Sequence, residues 1–396
     1  MDGERTGHRE AVTSRAAALD WLRGLAMALV LLSHGWALWS TAGLERVPPL
    51  LHLFQSGNLA VTVFLVVGGF LLVRSLIGPA GLADDDAGRV GAIAADRPGR
   101  AVLSRYVRVS AQVYVLLAAV ILLALVDDKE TLTLQQTWAS VVAVATYTWN
   151  IYLQTQSPVA RPDLGHLWYT SVYLQVTVLL VVLVRSLRHR RVVLLAVVGG
   201  LLLACTLWRA HVIDSEGAYR ALLRTTTRMD GMLWGAAAAL AWPWLRAARP
   251  HASTLAAWSL AGLAGLLLAM GNSTSYLGWG GLGANLCVVG FLVATPGLAD
   301  HHAWARATSW RPMVALGRYS LAVYVWHYPI FFVVARHGGG WAAPVKVLVA
   351  AVALVGAVAL TTRYVEQPLV AALARRWRTG PPASAVDRLR ADTPAG

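Results

Sequence analysis

Charged side chains are scarce in this sequence. Only 14% of the 396 residues are Asp, Glu, Lys or Arg, whereas an ordinary soluble domain carries about 25%. Lysine is nearly absent, since Lys129 and Lys346 are the only two, and hydrophobic residues make up 57% of the chain. This balance excludes a soluble enzyme and a DNA-binding protein.

Cysteine is also rare. Cys205 and Cys287 both lie inside apolar segments, so we expect neither a disulfide framework nor a metal site. The net charge of +14 would suit a nucleic acid, but the arginines punctuate long apolar runs, and many of the seventeen tryptophans stand near the ends of those runs. That pattern is typical of a polytopic membrane protein. We therefore predict an all-α integral membrane protein in a lipid bilayer, with no nucleic-acid partner.

Eleven segments approach the roughly 20 apolar residues that a transmembrane helix needs. They are 17–40, 58–78, 106–126, 134–153, 166–186, 191–210, 229–246, 253–270, 277–297, 312–335 and 343–364. The first keeps charged residues and lacks a small-residue cleavage site, so we interpret it as a retained span rather than a signal peptide. Segment 134–153 is the least apolar of the eleven, because it contains two glutamines, several threonines and Asn150.

The distribution of basic residues decides whether 134–153 crosses the membrane. If all eleven segments cross, the 34 Lys and Arg residues divide 17 to 17 between the two sides. If 134–153 does not cross, 25 lie on the cytoplasmic side and 9 on the other, as the positive-inside rule requires. We therefore predict about ten transmembrane helices, one re-entrant or interfacial helix at 134–153, and both termini in the cytoplasm.

Three regions follow from this prediction. Residues 1–16 form a polar cytoplasmic N-terminal tail, residues 17–370 form the multi-span membrane domain, and residues 371–396 form a basic, disordered cytoplasmic tail. The arginine-rich, lysine-poor and alanine-rich usage is typical of a high-GC bacterium, which places the chain in a bacterial inner membrane.

The first predicted span carries charged and polar residues on one face. Arg23 and His34 are about 20° apart around a helix and about 16 Å apart along it. Asp20 lies within about 40° of His34 by the same geometry. Since a charge in hydrocarbon costs a few kcal/mol, such residues have a partner or a function. From the helix alone, His34 is equally well read as an interior histidine that bonds a neighbouring helix.

Other polar residues sort by side. Arg105 and Arg108 share a face at the predicted cytoplasmic start of their helix. Arg74 and Glu366 lie at the cytoplasmic ends of two other helices. Toward the outer side lie His166, Trp168 and His327. Membrane anchoring would explain the arginines, an aromatic belt would explain the surroundings of His327, and a local salt bridge would explain Arg228 and Asp230. The sorting as a whole suits an anionic ligand that enters from the cytoplasm and presents its reactive end to a histidine, although a transporter could line its path in the same way.

Seven motifs in order resemble the membrane-bound acyltransferase family 3, the bacterial integral-membrane O-acyltransferases. They extend over about residues 15–368 and comprise Leu19 to Ala26 (LDWLRGLA) with Ser33 and His34, Val63 to Phe70 (VFLVVGGF), Arg105 to Arg108 (RYVR), His166 to Trp168 with Gln175, Arg228 to Gly231 (RMDG) with Gly235, Gly317 to Ser320 (GRYS) with Trp326, His327 and Pro329, and Glu366 to Pro368 (EQP). A single motif of this kind would be weak, whereas seven in sequence are specific.

The resemblance implies transfer of an acyl group, commonly acetyl, from cytoplasmic acyl-CoA to a hydroxyl of a glycan, a lipid-linked molecule or a natural product. Acyl-CoA is then a co-substrate, and no permanently bound cofactor is expected. The catalytic residues that it implies are His34, Arg23 and Asp20, and the donor-binding residues are Arg105, Arg108, Arg15 and Arg74. The remaining pocket residues that it implies are Gly69, Phe70, His166, Trp168, Gln175, Arg228, Asp230, His327 and Glu366.

The chain departs from the family pattern at three places. Tyr173 and Leu174 replace the paired glutamates of the fifth motif, Gly68 replaces a serine, and Ala111 replaces a proline. No carboxylate of the fifth motif is therefore available to orient His34, and Asp230 is the candidate substitute. Two alternatives to acyl transfer stay open: a transporter or flippase for a small glycan or metabolite, and a non-catalytic membrane scaffold.

Overall fold

The computed structural model describes residues 2–77, 98–270 and 276–378, and in these ranges every regular element is a helix. The longer helices are α1 (Asp2–His34), α3 (Gly57–Ile77), α4 (Pro98–Val126), α7 (Trp168–Ser186), α8 (Arg191–Glu216), α13 (Ala252–Met270), α14 (Gly281–Ala294), α17 (Ser320–His337) and α18 (Ala343–Thr361). The shorter ones are α2 (Pro48–Phe54), α5 (Leu134–Ala145), α6 (Trp149–Gln156), α9 (Ala218–Leu223), α10 (Thr225–Arg228), α11 (Asp230–Leu240), α12 (Trp242–Leu245), α15 (His302–Thr308), α16 (Arg311–Arg318) and α19 (Gln367–Arg378). The protein is an all-α integral membrane protein, as predicted.

Eight helical stretches of the described residues are long and apolar enough to cross a membrane. They are Ala17–Ala37, Gly57–Ile77, Val102–Val126, Pro162–Ser186, Arg191–Glu216, Ala252–Met270, Tyr276–Ala294 and Ala343–Arg376. Each coincides with one of the ten predicted spans. The most buried of them, α3, packs against α1, α7, α11 and α14 at the centre of the bundle.

The other two predicted spans, 229–246 and 312–335, are broken helices and are therefore not among these eight continuous stretches. The first breaks after Leu240 into α11 and α12, beside Pro243, whose ring is tolerated only in the first turn of a helix. The second breaks at Tyr319 into α16 and α17. The eight residues of α16 are too few to cross by themselves, whereas α17 extends from Ser320 beside Arg23 to Arg336 beside Asp127.

Two close helix contacts depend on glycine. At Gly69 in α3 and Gly235 in α11, a Cβ atom would overlap the backbone of the opposite helix. The two helices therefore touch along their backbones, which places Phe70 against Trp242 in the interior. Gly69 and Phe70, predicted as pocket residues, are packing residues instead.

Segment 134–153 does not cross the bundle. It forms α5 and α6, which are joined by a turn at Tyr147 with φ of 56°, and neither helix approaches the roughly 30 Å of hydrocarbon. Gln175 stabilises the turn, because its amide nitrogen donates to the Tyr147 carbonyl (2.8 Å) and to Asn150 (3.1 Å). Arg161 after the segment binds Glu130 before it at 2.8 Å. Both flanks therefore lie at the same end of the bundle, which confirms the predicted non-crossing helix.

A buried ionic network closes this end. The fully buried Arg161 grips Asp163 with two nitrogens, at 3.0 and 2.7 Å. The network continues to α17, where Arg336 binds Asp127 at 2.8 Å. The Lys129 backbone N–H, together with Arg336 and His337, lowers the pKa of Asp127 to about 2. Although burial raises the pKa of Glu130, the N–H of Leu132 and the charge of Arg161 outweigh it, so that this pKa lies below its ordinary value.

Both predicted tails include residues that are helical in the structure. Residues 2–16 belong to α1, so the predicted boundary at residue 16 falls inside a helix. Residues 371–378 belong to α19 and are helical, contrary to the disorder predicted for 371–396. The apolar residues and arginines of α19 recur at helical spacing, and the helix packs against α4. Residues 379–396 lie outside the described residues.

The topology can be tested with reporter fusions. A green fluorescent protein fused after Arg188, between α7 and α8, is expected to fluoresce, because the predicted orientation puts the basic turn there on the cytoplasmic side. An alkaline phosphatase fused after Glu216, at the other end of α8, is expected to be active. Phosphatase activity at Arg188 would contradict the non-crossing assignment of 134–153.

Removal of Arg161 should destabilise the protein strongly. Arg161→Met leaves Asp163 buried without its counter-charge and Glu130 with Arg336 as its remaining ion-pair partner, which costs about 3–5 kcal/mol. The matched control is Arg220→Met, since Arg220 forms an exposed pair with Glu216 and such pairs contribute about 0–1 kcal/mol. Thermal unfolding in detergent measures both, and equal effects would show that the network is not a structural clamp.

Candidate active site

Two cavities lie on either side of Tyr324, which lines both of them. The larger, which we name the arginine cavity, has a volume of about 690 Å³ and is lined by Arg23, Arg105, Arg108 and Arg318. The smaller, which we name the histidine cavity, has a volume of about 440 Å³ and is lined by His34 and His166. The sequence-based separation of arginines from histidines is thus present in three dimensions.

Arg23 is held at the wall of the arginine cavity by two neighbours. Its guanidinium donates to the Ser320 hydroxyl at 2.9 Å and to the Asp20 carboxylate at 3.3 Å. Arg318 approaches the same carboxylate at 4.0 Å. Asp20 and Arg23 therefore belong to the arginine side. His34 lies about 16 Å further along the helix, as the spacing predicted, and the catalytic role of Arg23 and Asp20 stays a prediction.

Glu366 lies on the opposite wall of the same cavity. Its carboxylate accepts a hydrogen bond from Gln112 at 2.8 Å and lies 3.9 Å from Arg108. Gln112 is fixed in turn by Thr361, whose hydroxyl donates to it at 2.8 Å. Glu366 thus pairs with Arg108 rather than with its sequence neighbour Arg363. With Arg105 also in the lining, the cavity presents several guanidinium groups to an anion.

In the histidine cavity, His34 and His327 are hydrogen-bonded ring to ring. Nδ1 of His34 lies 2.8 Å from Nε2 of His327, and the rings stack with their centroids 5.1 Å apart. Nδ1 of His327 lies 2.8 and 3.1 Å from the carbonyl oxygens of Tyr324 and Val323. A carbonyl only accepts, so Nδ1 of His327 carries the hydrogen and its Nε2 is the acceptor.

This chain of bonds fixes the tautomer of His34. Since Nε2 of His327 accepts, Nδ1 of His34 must donate, and Nε2 of His34 keeps a bare lone pair. None of the hydrogen bonds of these two rings goes to a carboxylate in the described part of the chain. The partner that fixes the His34 ring is therefore His327 rather than a carboxylate.

His166 and Trp168 complete the histidine cavity. His166 donates from Nε2 to the Val325 carbonyl at 3.2 Å, and its own carbonyl accepts the hydroxyl of Tyr324. The side chain that separates the two cavities is thus tied to the turn that carries His166. That turn begins at Pro162, next to the Arg161–Asp163 pair.

Several predicted pocket residues lie elsewhere. Arg74 stacks on the rings of Phe70 and Trp242, 5.3 and 5.1 Å from their centroids, and does not line the arginine cavity. Gln175 supports the turn between α5 and α6. Asp230 does not reach His34, because Arg209 binds it at 2.6 Å and Asn285 at 3.1 Å. Asp230 thus forms its direct salt bridge with Arg209 rather than with its sequence neighbour Arg228.

The side chain of Arg15 lies outside the part of the chain that the structure describes. Arg105, Arg108 and Glu366 lie where the motifs predicted them, at the arginine cavity. Sequence reasoning missed Arg318, Ser320, Tyr324 and Gln112. A signal existed for Gln112, a polar residue in an apolar run that follows Arg105 and Arg108 by seven and four positions and so shares their helix face.

Two of the three departures from the family pattern compensate for one another. A Cβ atom at Gly68 would lie only 2.8 Å from Cε2 of Tyr173, so the ring of Tyr173 occupies the space that a serine at position 68 would need. Both residues line the arginine cavity. A side chain at position 68 and the ring of Tyr173 therefore compete for the same space.

This coupling predicts a double-mutant result. Gly68→Ala should destabilise the protein by about 1–3 kcal/mol through overpacking, and Tyr173→Leu in the same chain should remove most of that cost. The matched control is Gly199→Ala, where a Cβ meets nothing within 4 Å and a gain of about 0.5–1 kcal/mol is expected. Additive effects of the two substitutions on thermal unfolding would contradict the coupling.

A comparison with known families identifies the chain. The model of an acyltransferase domain, acyltransferase family 3, matches residues 16–363. No curated protein sequence and no solved structure gives a significant match. The matched range includes His34, His327 and all four arginines of the arginine cavity, and it leaves out only the end of the last helical stretch and the tails. The chain therefore belongs to acyltransferase family 3 and is an integral-membrane acyltransferase.

Proposed function

We propose that the protein transfers an acyl group, acetyl in the first instance, from acyl-CoA to a hydroxyl of a glycan, a lipid-linked molecule or a natural product. One observation supports this above all. A histidine with a bare Nε2 lies in a cavity that is separated by a single tyrosine from a second cavity lined with arginines. Transfer of an acyl group from a polyphosphorylated donor to a hydroxyl requires a base close to a site that binds anions.

The arginine cavity suits the nucleotide end of the donor. Arg105 and Arg108 lie on one face of α4, and Arg23 and Arg318 face the same space from α1 and α16. Guanidinium groups bind phosphate oxygens in a bidentate manner. The roughly 16 Å along α1 from Arg23 to His34 gives an extended pantetheine arm a path past Tyr324, which would bring the thioester to His34.

In the proposed reaction, Nε2 of His34 takes the proton of the acceptor hydroxyl while its oxygen attacks the thioester carbonyl carbon. The carbon–sulfur bond breaks, and the imidazolium returns the proton to the CoA thiolate. His327 holds the His34 tautomer throughout. An acyl-His34 relay is the alternative route, because imidazole is also a nucleophile; it predicts an acylated His34 peptide in mass spectra when the acceptor is withheld.

The proposed orientation places the arginine cavity at the cytoplasmic side of a bacterial inner membrane, with both termini in the cytoplasm. The donor is a cytoplasmic metabolite, and the basic residues favour this side. The histidine cavity then faces the acceptor at or beyond the membrane. Two cavities on either side of one tyrosine would also suit a transporter or flippase, which predicts substrate flux without consumption of acyl-CoA.

The histidine pair can be tested by substitution. His34→Ala should lower acyl transfer from labelled acetyl-CoA by about 10²–10⁴-fold, the usual contribution of a general base. His327→Phe should lower kcat while the KM for acetyl-CoA changes little, because it removes the acceptor that orients His34 and not a donor contact. His189→Ala, at an exposed histidine between α7 and α8, is the control.

The assay needs two readouts because the acceptor is unidentified. Purified protein in detergent is tested for release of CoA thiol from acetyl-CoA, and surface glycans and secreted metabolites of cells with wild-type or His34→Ala protein are compared by mass. A product that is heavier by one acyl group only with wild-type protein is the expected result. Wild-type activity of His34→Ala in both assays would remove His34 from the mechanism.

A further inference from the structure

Arg228 carries a buried charge that the ion pairs of its surroundings do not neutralise. It is only 2% exposed and lies at the end of α10, next to the α11 residue Asp230. The carboxylate of Asp230 is taken by Arg209 from α8, at 2.6 Å, and Arg209 also donates to the Thr227 carbonyl at 3.1 Å. Two guanidinium groups thus share one carboxylate, which leaves an excess of one positive charge in the bundle.

The unpartnered atoms of Arg228 lie along one edge of its guanidinium. Nε and Nη2 are buried and have no hydrogen-bond partner in the part of the chain that the structure describes. The same edge of Arg161 shows what such a pair of atoms can bind. Nε and Nη2 of Arg161 donate hydrogen bonds to the two carboxylate oxygens of Asp163. An edge with two parallel N–H groups matches an oxyanion and leaves a neutral hydroxyl or amide only half engaged.

The position of Arg228 connects it to the histidine cavity. Its guanidinium carbon lies 5.7 Å from the ring centroid of Trp168, and Trp168 lines that cavity. Leu222, six residues before Arg228, and Asn58 line the same cavity. Arg228 does not itself line this cavity, but it packs against Trp168 in the wall of the space that His34 also lines.

A buried guanidinium that shares one carboxylate with a second arginine is left with uncompensated charge, which is unfavourable by several kcal/mol. A bound anion would neutralise this charge. The arginine cavity, on the other side of Tyr324, already has four arginines that suit the phosphates of the donor. An anion bound by Arg228 would therefore belong to the acceptor.

We propose that Arg228 is a binding site for an oxyanion, a phosphate or a carboxylate, that the acceptor carries in addition to its reactive hydroxyl. The assignment of this anion to the acceptor rests on the proposed function, whereas the anion site itself does not. Acceptors of this class are phosphorylated or acidic hydroxyl compounds. The ligand reaches the site past Trp168 and places its hydroxyl toward His34.

The first test measures anion binding without any acyl donor. Protein with Arg105→Gln and Arg108→Gln, in which binding at the arginine cavity is weakened, is titrated in detergent with inorganic phosphate and separately with acetate, at constant ionic strength in sodium chloride. Adding Arg228→Met to this background should weaken binding about tenfold to a hundredfold, the loss of a charge-assisted pair of hydrogen bonds. An effect on phosphate, on acetate or on both supports the site and tells which oxyanion it prefers.

The second test separates a ligand site from a structural role. In the absence of ligand, Arg228→Met should leave the unfolding temperature unchanged or raise it, because it removes an uncompensated buried charge. Arg209→Met is the matched control and should lower that temperature, since it leaves Asp230 without its partner. Unchanged affinity for both anions in the first test, or a loss of stability in Arg228→Met equal to that of Arg209→Met, would overturn the proposal. Neither result depends on acyl transfer, so a failure here is distinguishable from a failure of the proposed function.

Discussion

The hydrogen bond between His34 and His327 is the interaction on which the site depends. It joins α1 to α17 and, through the two carbonyl acceptors of His327, sets which nitrogen of His34 is free. Without it, His34 would be one more interior histidine with two possible tautomers. With it, a lone pair is presented to a cavity that a substrate hydroxyl can enter.

The rest of the bundle holds this pair in place. At the far end of α17, Arg336 binds Asp127 and Glu130, and Glu130 binds Arg161. The same arginine grips Asp163, three residues before His166. The turn that carries His166, the helix that carries His327 and the end of α4 are thus one ionic unit. Buried ion pairs contribute little net stability but are costly to break, which suits a clamp that keeps a site in one geometry.

The sequence predicted those parts of the site that depend on helical geometry alone. His34, Arg105, Arg108 and Glu366 lie where their motifs and helix ends predicted, because 3.6 residues per turn and the membrane together determine depth and face. The predictions that fail within the site share one cause. The partner of Asp230 comes from α8, the orienting group for His34 from α17, and the space above Gly68 is taken by α7. Such contacts join residues far apart in the chain, and spacing does not reveal them.

The broken helices are a second case. Segments 229–246 and 312–335 have the length and composition of spans, yet each divides where a proline or an arginine interrupts it. The break at Tyr319 places Arg318 and Ser320 in the wall of the arginine cavity. Irregular backbone at membrane depth is tolerated where protein surrounds it or where it lines a cavity. The break at Tyr319 lies next to the site, whereas the break after Leu240 is surrounded by protein.

The most direct test of the account is a cryo-electron-microscopy structure of the protein with CoA bound. The account predicts density for the phosphates beside Arg105 and Arg108 in the arginine cavity, and the thiol sulfur past Tyr324 within hydrogen-bond reach of Nε2 of His34. Phosphates in the histidine cavity, or a sulfur that stays on the arginine side of Tyr324, would contradict it.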